Sequence, residues 1–169
     1  LNKHKQDYSA LIEPLKQGFD VGLISDCGCP AVADPGSRVV SIAHAMGVTV
    51  VPLIGPSSIL LTLMASGLNG QKFSFLGYLP AEPATRKTRL KQLEGQILKE
   101  GITQIFIEAP FRNQHLFDAM ISSLNHEIKL CVGINLMTTD QQIISKTIEQ
   151  WQRKPLRLDK QEVIFLLGQ

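Results

Sequence analysis

The period of the apolar positions changes repeatedly along the chain. Over residues 6–17, Tyr8, Leu11, Ile12 and Leu15 recur at near-helical spacing and predict an amphipathic helix that Gly18 stops. Residues 21–25 (VGLIS) form a short apolar run, the pattern of a buried parallel strand. Residues 38–46 read as a helix closed by Gly47, and residues 48–53 (VTVVPL) as a second strand, rich in β-branched side chains. An apolar helix follows over 57–65, ended by Gly67, and then a third strand over 73–78. Residues 79–85 (LPAEPAT) hold two prolines and no periodicity, and read as a linker.

Beyond the linker the alternation resumes. A charged helix is predicted over 86–98, a strand over 103–108, a helix over 111–124 and a strand over 129–134. Residues 143–147 read as a strand of antiparallel sense, 148–153 as a short helix and 162–167 as a last strand. Strands alternating with helices predict an α/β fold with mostly parallel sheets. The expected division is a first domain over 1–78, the linker, and a second domain over 86–169. Ligands of such sheets bind outside the carboxyl ends of strands. That rule selects four loops, at residues 26–36, 55–58, 108–112 and 135–138.

Composition narrows the class. Of 169 residues 44% are hydrophobic and 19% charged, so the chain can bury a core. A net charge of +2 argues neither for nor against nucleic acid. Cys27, Cys29 and Cys131 are odd in number and irregular in spacing, which excludes a disulfide framework. The C-x-C pair has no second Cys or His pair nearby, so no metal is expected. His4, His44, His115 and His126 lack partners at ligand or triad spacing. No apolar run nears the ~18 residues of a membrane span, and no signal peptide is visible. A cytoplasmic location is expected. Residue 1 is Leu rather than Met, so the true start is expected upstream.

Three segments carry candidate chemistry. The first is SDCGCPAVADPGSR at 25–38. Gly28 and Gly36 permit positive φ there, Pro30 and Pro35 stiffen the loop, and Asp34 is placed to cap the next helix. The second is IGPSS at 54–58, where Ser57 or Ser58 can cap a helix whose free N–H groups could hold a ligand. No G-K-[ST] follows, and no G-x-G-x-x-G occurs, so a P-loop and a Rossmann fingerprint are both absent. The third is IEAPFR at 107–112. Glu108 there can act as a base or orient a ligand, and Arg112 can bind phosphate or simply pair with Glu108. The basic run RKTRLK at 86–91 reads as a solvated helix face, beside the linker where an RNA backbone could touch it.

In this order the segments resemble the tetrapyrrole (corrin/porphyrin) methylase family, the class III S-adenosylmethionine-dependent methyltransferases. The similarity is greatest to a branch that methylates ribose 2′-hydroxyls of 16S ribosomal RNA. That branch shows S-D-A-G-T-P-x-x-S-D-P-G where residues 25–36 read SDCGCPAVADPG. It shows P-x-P-G-P-S, an apolar helix and S-G-L where residues 51–68 read VPLIGPSSILLTLMASGL. Its F-x-F-x-G-F-L-P matches FSFLGYLP at 73–80, and its E-S-P-H-R matches EAPFR at 108–112.

The resemblance implies two αβα domains of the tetrapyrrole methylase fold, a homodimer, and S-adenosylmethionine as cofactor, with S-adenosylhomocysteine as product. It implies cofactor contacts at Asp26, Gly28, Cys29, Pro30 and Val32, at Ser57 and Ser58, at Glu108, and at Asn135, Leu136 and Met137. Glu108 is also the candidate catalytic base. The implied partner is 16S ribosomal RNA of the small subunit. The family's first strand and Gly-rich loop have no counterpart here, so the N-terminal domain is expected to be incomplete and a chain truly beginning at Leu1 weakly active or inactive. The branch's A-R-E-L-T-K loop is replaced by GINLMTTD at 133–140, which removes two cations near the cleft. A tetrapyrrole or other small-molecule methyltransferase, a non-catalytic ligand-binding domain, and a phosphosugar or nucleotide hydrolase are the competing readings.

Overall fold

The computed structural model describes residues 8–158 and 160–169. His4 and the first two positions of the predicted 6–17 helix lie outside the described residues. The chain divides into two compact units, Leu1–Ser57 and Ser58–Gln169.

Among its described residues the first unit holds two helices, α1 (Ser9–Lys16) and α2 (Ser37–Ala45). Helix α1 carries Pro14 and buries no residue, and α2 buries only Ala43. The strands predicted at 21–25 and 48–53 do not form. A strand exists only when its N–H and C=O groups find a neighbouring strand, and among the described residues neither segment pairs with one. Their apolar side chains stay in water, with Ile24 89% and Leu53 88% exposed. Asp34 does not cap α2 either: the cap position is Gly36, with no side-chain bond.

The second unit contains α3 (Ser58–Ser66), β1 (Phe73–Tyr78), α4 (Pro83–Glu100), β2 (Thr103–Ile107), a 3₁₀ turn at Pro110–Arg112, α5 (Asn113–Ser123), β3 (Lys129–Ile134), β4 (Gln142–Thr147), α6 (Ile148–Arg153) and β5 (Val163–Gly168). The five strands form one sheet in the order β1-β2-β5-β3-β4. Only β1 and β2 pair in parallel; β2–β5, β5–β3 and β3–β4 are antiparallel. The sheet is therefore not mostly parallel as expected. Strands β3 and β4 are joined by too few residues for a crossover helix, and β5 runs back between β2 and β3. Residues 58–78, read in the sequence as part of the first domain, belong to this unit, because β1 is hydrogen-bonded to β2.

Alternation along the strands builds the layers. Phe106, Leu130, Val132, Phe165 and Leu167 point to one face, where Leu90, Leu93 and Ile97 of α4, Leu116, Phe117 and Met120 of α5, and Trp151 of α6 cover them. Ile105, Cys131, Ile164 and Leu166 point to the other, against Leu63 of α3. Trp151 fixes one corner: its Nε1–H donates to the Leu130 carbonyl at 2.8 Å, and its ring meets Phe117 edge-on at 5.3 Å. Gly133 marks where α3 lies closest to the sheet, since a Cβ there would stand 2.6 Å from Thr62 Oγ1.

Helix α4 begins inside the predicted linker. Glu82 is its cap, accepting from the N–H groups of Ala84 and Thr85, and Pro83 takes the first helical position. The Thr85 hydroxyl and these N–H groups hold the Glu82 carboxyl below its ordinary range. Arg86 is buried rather than solvated, donating from Nε to the Pro80 carbonyl at 3.0 Å and from Nη2 to the Ala81 carbonyl. Among the described residues no helix is long and apolar enough to cross a membrane.

Candidate functional site

Two of the selected loops meet within the first unit. Cys29 Sγ donates to the Pro56 carbonyl at 3.3 Å, which ties the loop at 25–36 to the loop at 54–58. The first loop is folded by its own groups. Ser25 Oγ donates to the Cys27 carbonyl at 3.1 Å and accepts from the Cys27 N–H at 3.3 Å, while the Val32 N–H reaches the Cys29 carbonyl at 3.2 Å. Gly28 has φ 79°, which glycine adopts freely. Ala31 and Ala33 have φ 65° and 56°, a left-handed conformation that costs a non-glycine residue roughly 1–2 kcal/mol. At Gly36 a Cβ would come within 2.9 Å of Leu23 Cδ2 and 3.4 Å of the Ala31 nitrogen. Of the candidate contacts here, Asp26, Gly28 and Val32 are exposed, and Cys29 and Pro30 half-buried. Ser57 is the last residue of this unit and Ser58 the first of the next, where it opens α3.

The other two loops share one end of the second unit's sheet. Strands β2 and β3 both run antiparallel to β5, so their carboxyl ends lie on the same side, two strand spacings or about 10 Å apart. Glu108 leaves the end of β2 and Asn135 the end of β3. Between them stand Gln161 and Glu162, just before β5.

Glu108 is locked in place. Its side chain has no exposed surface, and Oε1 accepts from the Ala109 N–H at 2.7 Å, from Arg112 Nε at 3.0 Å and from Arg112 Nη2 at 2.7 Å. The guanidinium also lies over the Phe111 ring, 5.2 Å from its centroid. Oε2 is buried and has no partner. The pairing of Glu108 with Arg112, one of the two roles open to Arg112 in the sequence, is therefore the one formed.

Asn135 is fastened to the start of β5. Its N–H donates to the Glu162 carbonyl at 2.9 Å, and its Oδ1 accepts from the Glu162 N–H at 3.2 Å. Its carbonyl accepts from the N–H and hydroxyl of Thr138 at 3.2 and 2.8 Å. Asn135 and Met137 have φ 46° and 66°, so the turn holds two left-handed non-glycine residues on either side of Leu136. Met137 donates its N–H to Gln141 Oε1 at 2.8 Å and leaves its side chain 69% exposed, whereas Leu136 packs on the Leu63–Ile164 cluster. Such strain persists only where surrounding structure enforces it, and it gathers at functional sites.

Two residues that the sequence did not single out belong to this end. Asn113 is wholly buried at the start of α5 and donates from Nδ2 to the Gln161 carbonyl at 2.8 Å, leaving Oδ1 without a partner. Gln161 Oε1 is likewise buried and unpartnered. With Glu108 Oε2, three acceptors at one end of the sheet have no donor among the described residues, where buried polar groups are ordinarily paired. An Asn opening a helix reads locally as a cap, so only the tertiary placement of Gln161 reveals this cluster.

No family model matches the chain. Over 138 residues it is 41% identical to ribosomal RNA small subunit methyltransferase I of Mesorhizobium japonicum, covering 82% of this chain and 46% of that protein. The protein of the same name from Vibrio cholerae is 35% identical, over 92% of this chain and 51% of its own length. That of Haemophilus influenzae is 32% identical, over 99% and 59%. The chain thus spans about half the length of the curated relatives it matches. The crystal structure of the methyltransferase CobJ superposes with a TM-score of 0.61 at 16% identity, covering 95% of this chain and 69% of that one, which shows the fold. The chain is thus similar over most of its length to the ribosomal RNA small subunit methyltransferase I proteins, and it shares the fold of the methyltransferase CobJ.

Proposed function

We propose that this chain is an S-adenosylmethionine-dependent methyltransferase whose acceptor is RNA of the small ribosomal subunit, as the name of its relatives indicates. The observation that carries the reading is 41% identity to such a relative over 82% of the chain. A ribose 2′-hydroxyl is the proposed acceptor group and a homodimer the proposed assembly.

The residues present fit the cofactor. S-adenosylmethionine is rich in donors, with an adenine amino group, two ribose hydroxyls and an ammonium group. Glu108 Oε2, Asn113 Oδ1 and Gln161 Oε1 are buried acceptors that lack donors. When bound, the cofactor supplies a methyl group on a sulfonium, open to in-line displacement. The chain's task is then to align the acceptor and exclude water. Within the first unit the proposed cofactor contacts are Asp26, Gly28, Cys29, Pro30, Val32 and Ser57; within the second they are Ser58, Glu108, Asn135, Leu136 and Met137. Glu108 is assigned to holding a ligand rather than to proton abstraction, because Arg112 occupies one oxygen and the other is sealed from solvent.

Calorimetric titration of the intact protein with S-adenosylhomocysteine tests the reading. Saturable heat is expected. No heat, together with thermal stabilisation by inorganic phosphate, would favour the hydrolase reading instead. Cofactor binding without methylation of small ribosomal subunits or tetrapyrroles would leave a ligand-binding domain.

A further inference from the structure

We propose that the exposed face of α4 is a docking strip for the phosphate backbone of RNA, with Lys87 and Lys91 as its paired contacts and Arg89 at its margin. The inference rests on the proposed function for the choice of RNA as the anion.

The sequence from 86 to 91 places four cations together with no acid among them. Burial sorts them. Arg86 is turned inward and consumed by the Pro80 and Ala81 carbonyls, whereas Lys87 and Lys91 stand exposed one turn apart. With Ala84, Thr88 and Gln92 they line a shallow hollow along the helix. Leu90, Leu93 and Ile97 occupy the opposite, core-facing side, so this strip faces away from the unit's interior.

Helix stability alone would not choose this arrangement. Lys87 has Pro83, Ala84, Leu90 and Lys91 at the positions where a helical partner can reach it. None is an acid, and Lys91 repels it, since like charges four apart destabilise a helix. Lys91 is paired with Glu94 at 2.7 Å, but Lys87 carries no ion pair among the described residues. Glu82, the nearest acid in sequence, is taken up by the Ala84 and Thr85 N–H groups and the Thr85 hydroxyl, and the first turn of α4 carries no acid. An external polyanion supplies what the helix lacks. Four residues of helix advance about 6 Å along the axis, a spacing at which two side chains can meet neighbouring phosphates of one strand. Lysine suits this role, because it acts as a point charge and needs no bidentate geometry. The strip also offers cations in a chain whose loop at 133–140 has none.

The test compares the intact protein with Lys87→Gln/Lys91→Gln in binding a short RNA hairpin at several salt concentrations. A control, Lys129→Gln/Lys154→Gln, removes the same charge from exposed positions outside α4. Each phosphate contact contributes about 0.7–0.9 to the slope of log affinity against log salt. Loss of two contacts should therefore flatten the slope by about 1.4–1.8, so that the wild-type advantage shrinks about tenfold between 50 and 200 mM salt. The control pair should leave the slope within experimental error of wild type. An unchanged slope in the Lys87/Lys91 variant overturns the proposal, as does equal flattening in the control. Competition by polyglutamate as strong as that by the hairpin would assign the strip to an acidic protein and overturn it too. S-adenosylhomocysteine titrated into the same variants separates the two readings: the cofactor heat is expected to be unchanged, and its absence in wild type would defeat the proposed function without bearing on the slope.

Discussion

VTVVPL at 48–53 and KLCVGI at 129–134 are alike in composition, yet they meet different fates. The second becomes β3, the strand between β4 and β5, with Leu130, Cys131 and Val132 fully buried. The first pairs with nothing among the described residues, and Val51 and Leu53 stay exposed. The same contrast holds between the units as wholes. The second packs a five-stranded sheet between α3 on one face and α4, α5 and α6 on the other. Among its described residues the first has two short helices and a single buried apolar side chain, Ala43. Apolar, β-branched composition marks a segment as fit for a sheet, but the sheet itself is made by neighbours that satisfy the backbone.

The sharpest way to test that contrast is to cut side chains in each unit. Phe165→Ala, in the wholly buried strand β5, should destabilise the second unit by roughly 3–5 kcal/mol, read from the denaturant midpoint with Trp151 fluorescence as reporter. Leu53→Ala should change the same midpoint by less than about 0.5 kcal/mol, because an exposed side chain has little packing to lose. A large effect at Leu53 would break the comparison.

Smaller effects belong to the site. Glu108→Ala strands a partly exposed Arg112 and frees the Ala109 N–H, at a cost of roughly 1–3 kcal/mol, and Glu108→Gln should recover part of it. Both should weaken S-adenosylhomocysteine binding by calorimetry if the carboxylate holds a ligand. Unaltered binding in Glu108→Ala would confine the pair to a structural role.

Cys131 gives a prediction in pH. Burial among Leu63, Ile105 and Ile164 pushes its thiol up to about 11. The folded state then binds a proton that the unfolded state releases at an ordinary thiol pKa near 8.5. Stability from this group is complete below that value and falls as pH rises towards 11. Exposed Cys27 should react with a thiol reagent at neutral pH, while Cys131 should react only on unfolding. Fast reaction of both in the native protein would contradict the packing of α3 on the sheet.

The smallest expected effect is at Met137. Its φ of 66° is unfavourable for methionine, and its side chain is exposed. Met137→Gly should relieve about 1 kcal/mol of strain and return about 0.5–1 of it as chain entropy, for a shift in melting temperature of no more than a few degrees.

The strands of the second unit were largely legible in the sequence. Residues 73–78, 129–134 and 148–153 form their elements at the predicted bounds, because period and local chemistry agree there. What escaped depends on distant partners. The direction of β5 is set by its place between β2 and β3, and no local pattern records it. Glu82 capping moved the start of α4 into a stretch that two prolines had marked as linker. At the candidate site, the Glu108–Arg112 pair lies within five residues and could be read as one of two options. Asn113 and Gln161 could not, since 48 residues separate them and only the fold brings the Nδ2 of one to the carbonyl of the other.

Hydrogen exchange with and without S-adenosylhomocysteine tests the account most directly, because it reads each stretch by itself. Protection is predicted at residues 25–36, 54–58, 107–113 and 135–138, with the outer face of α4 unchanged. Saturating ligand that protects none of these four stretches, or protects only α4, would contradict it.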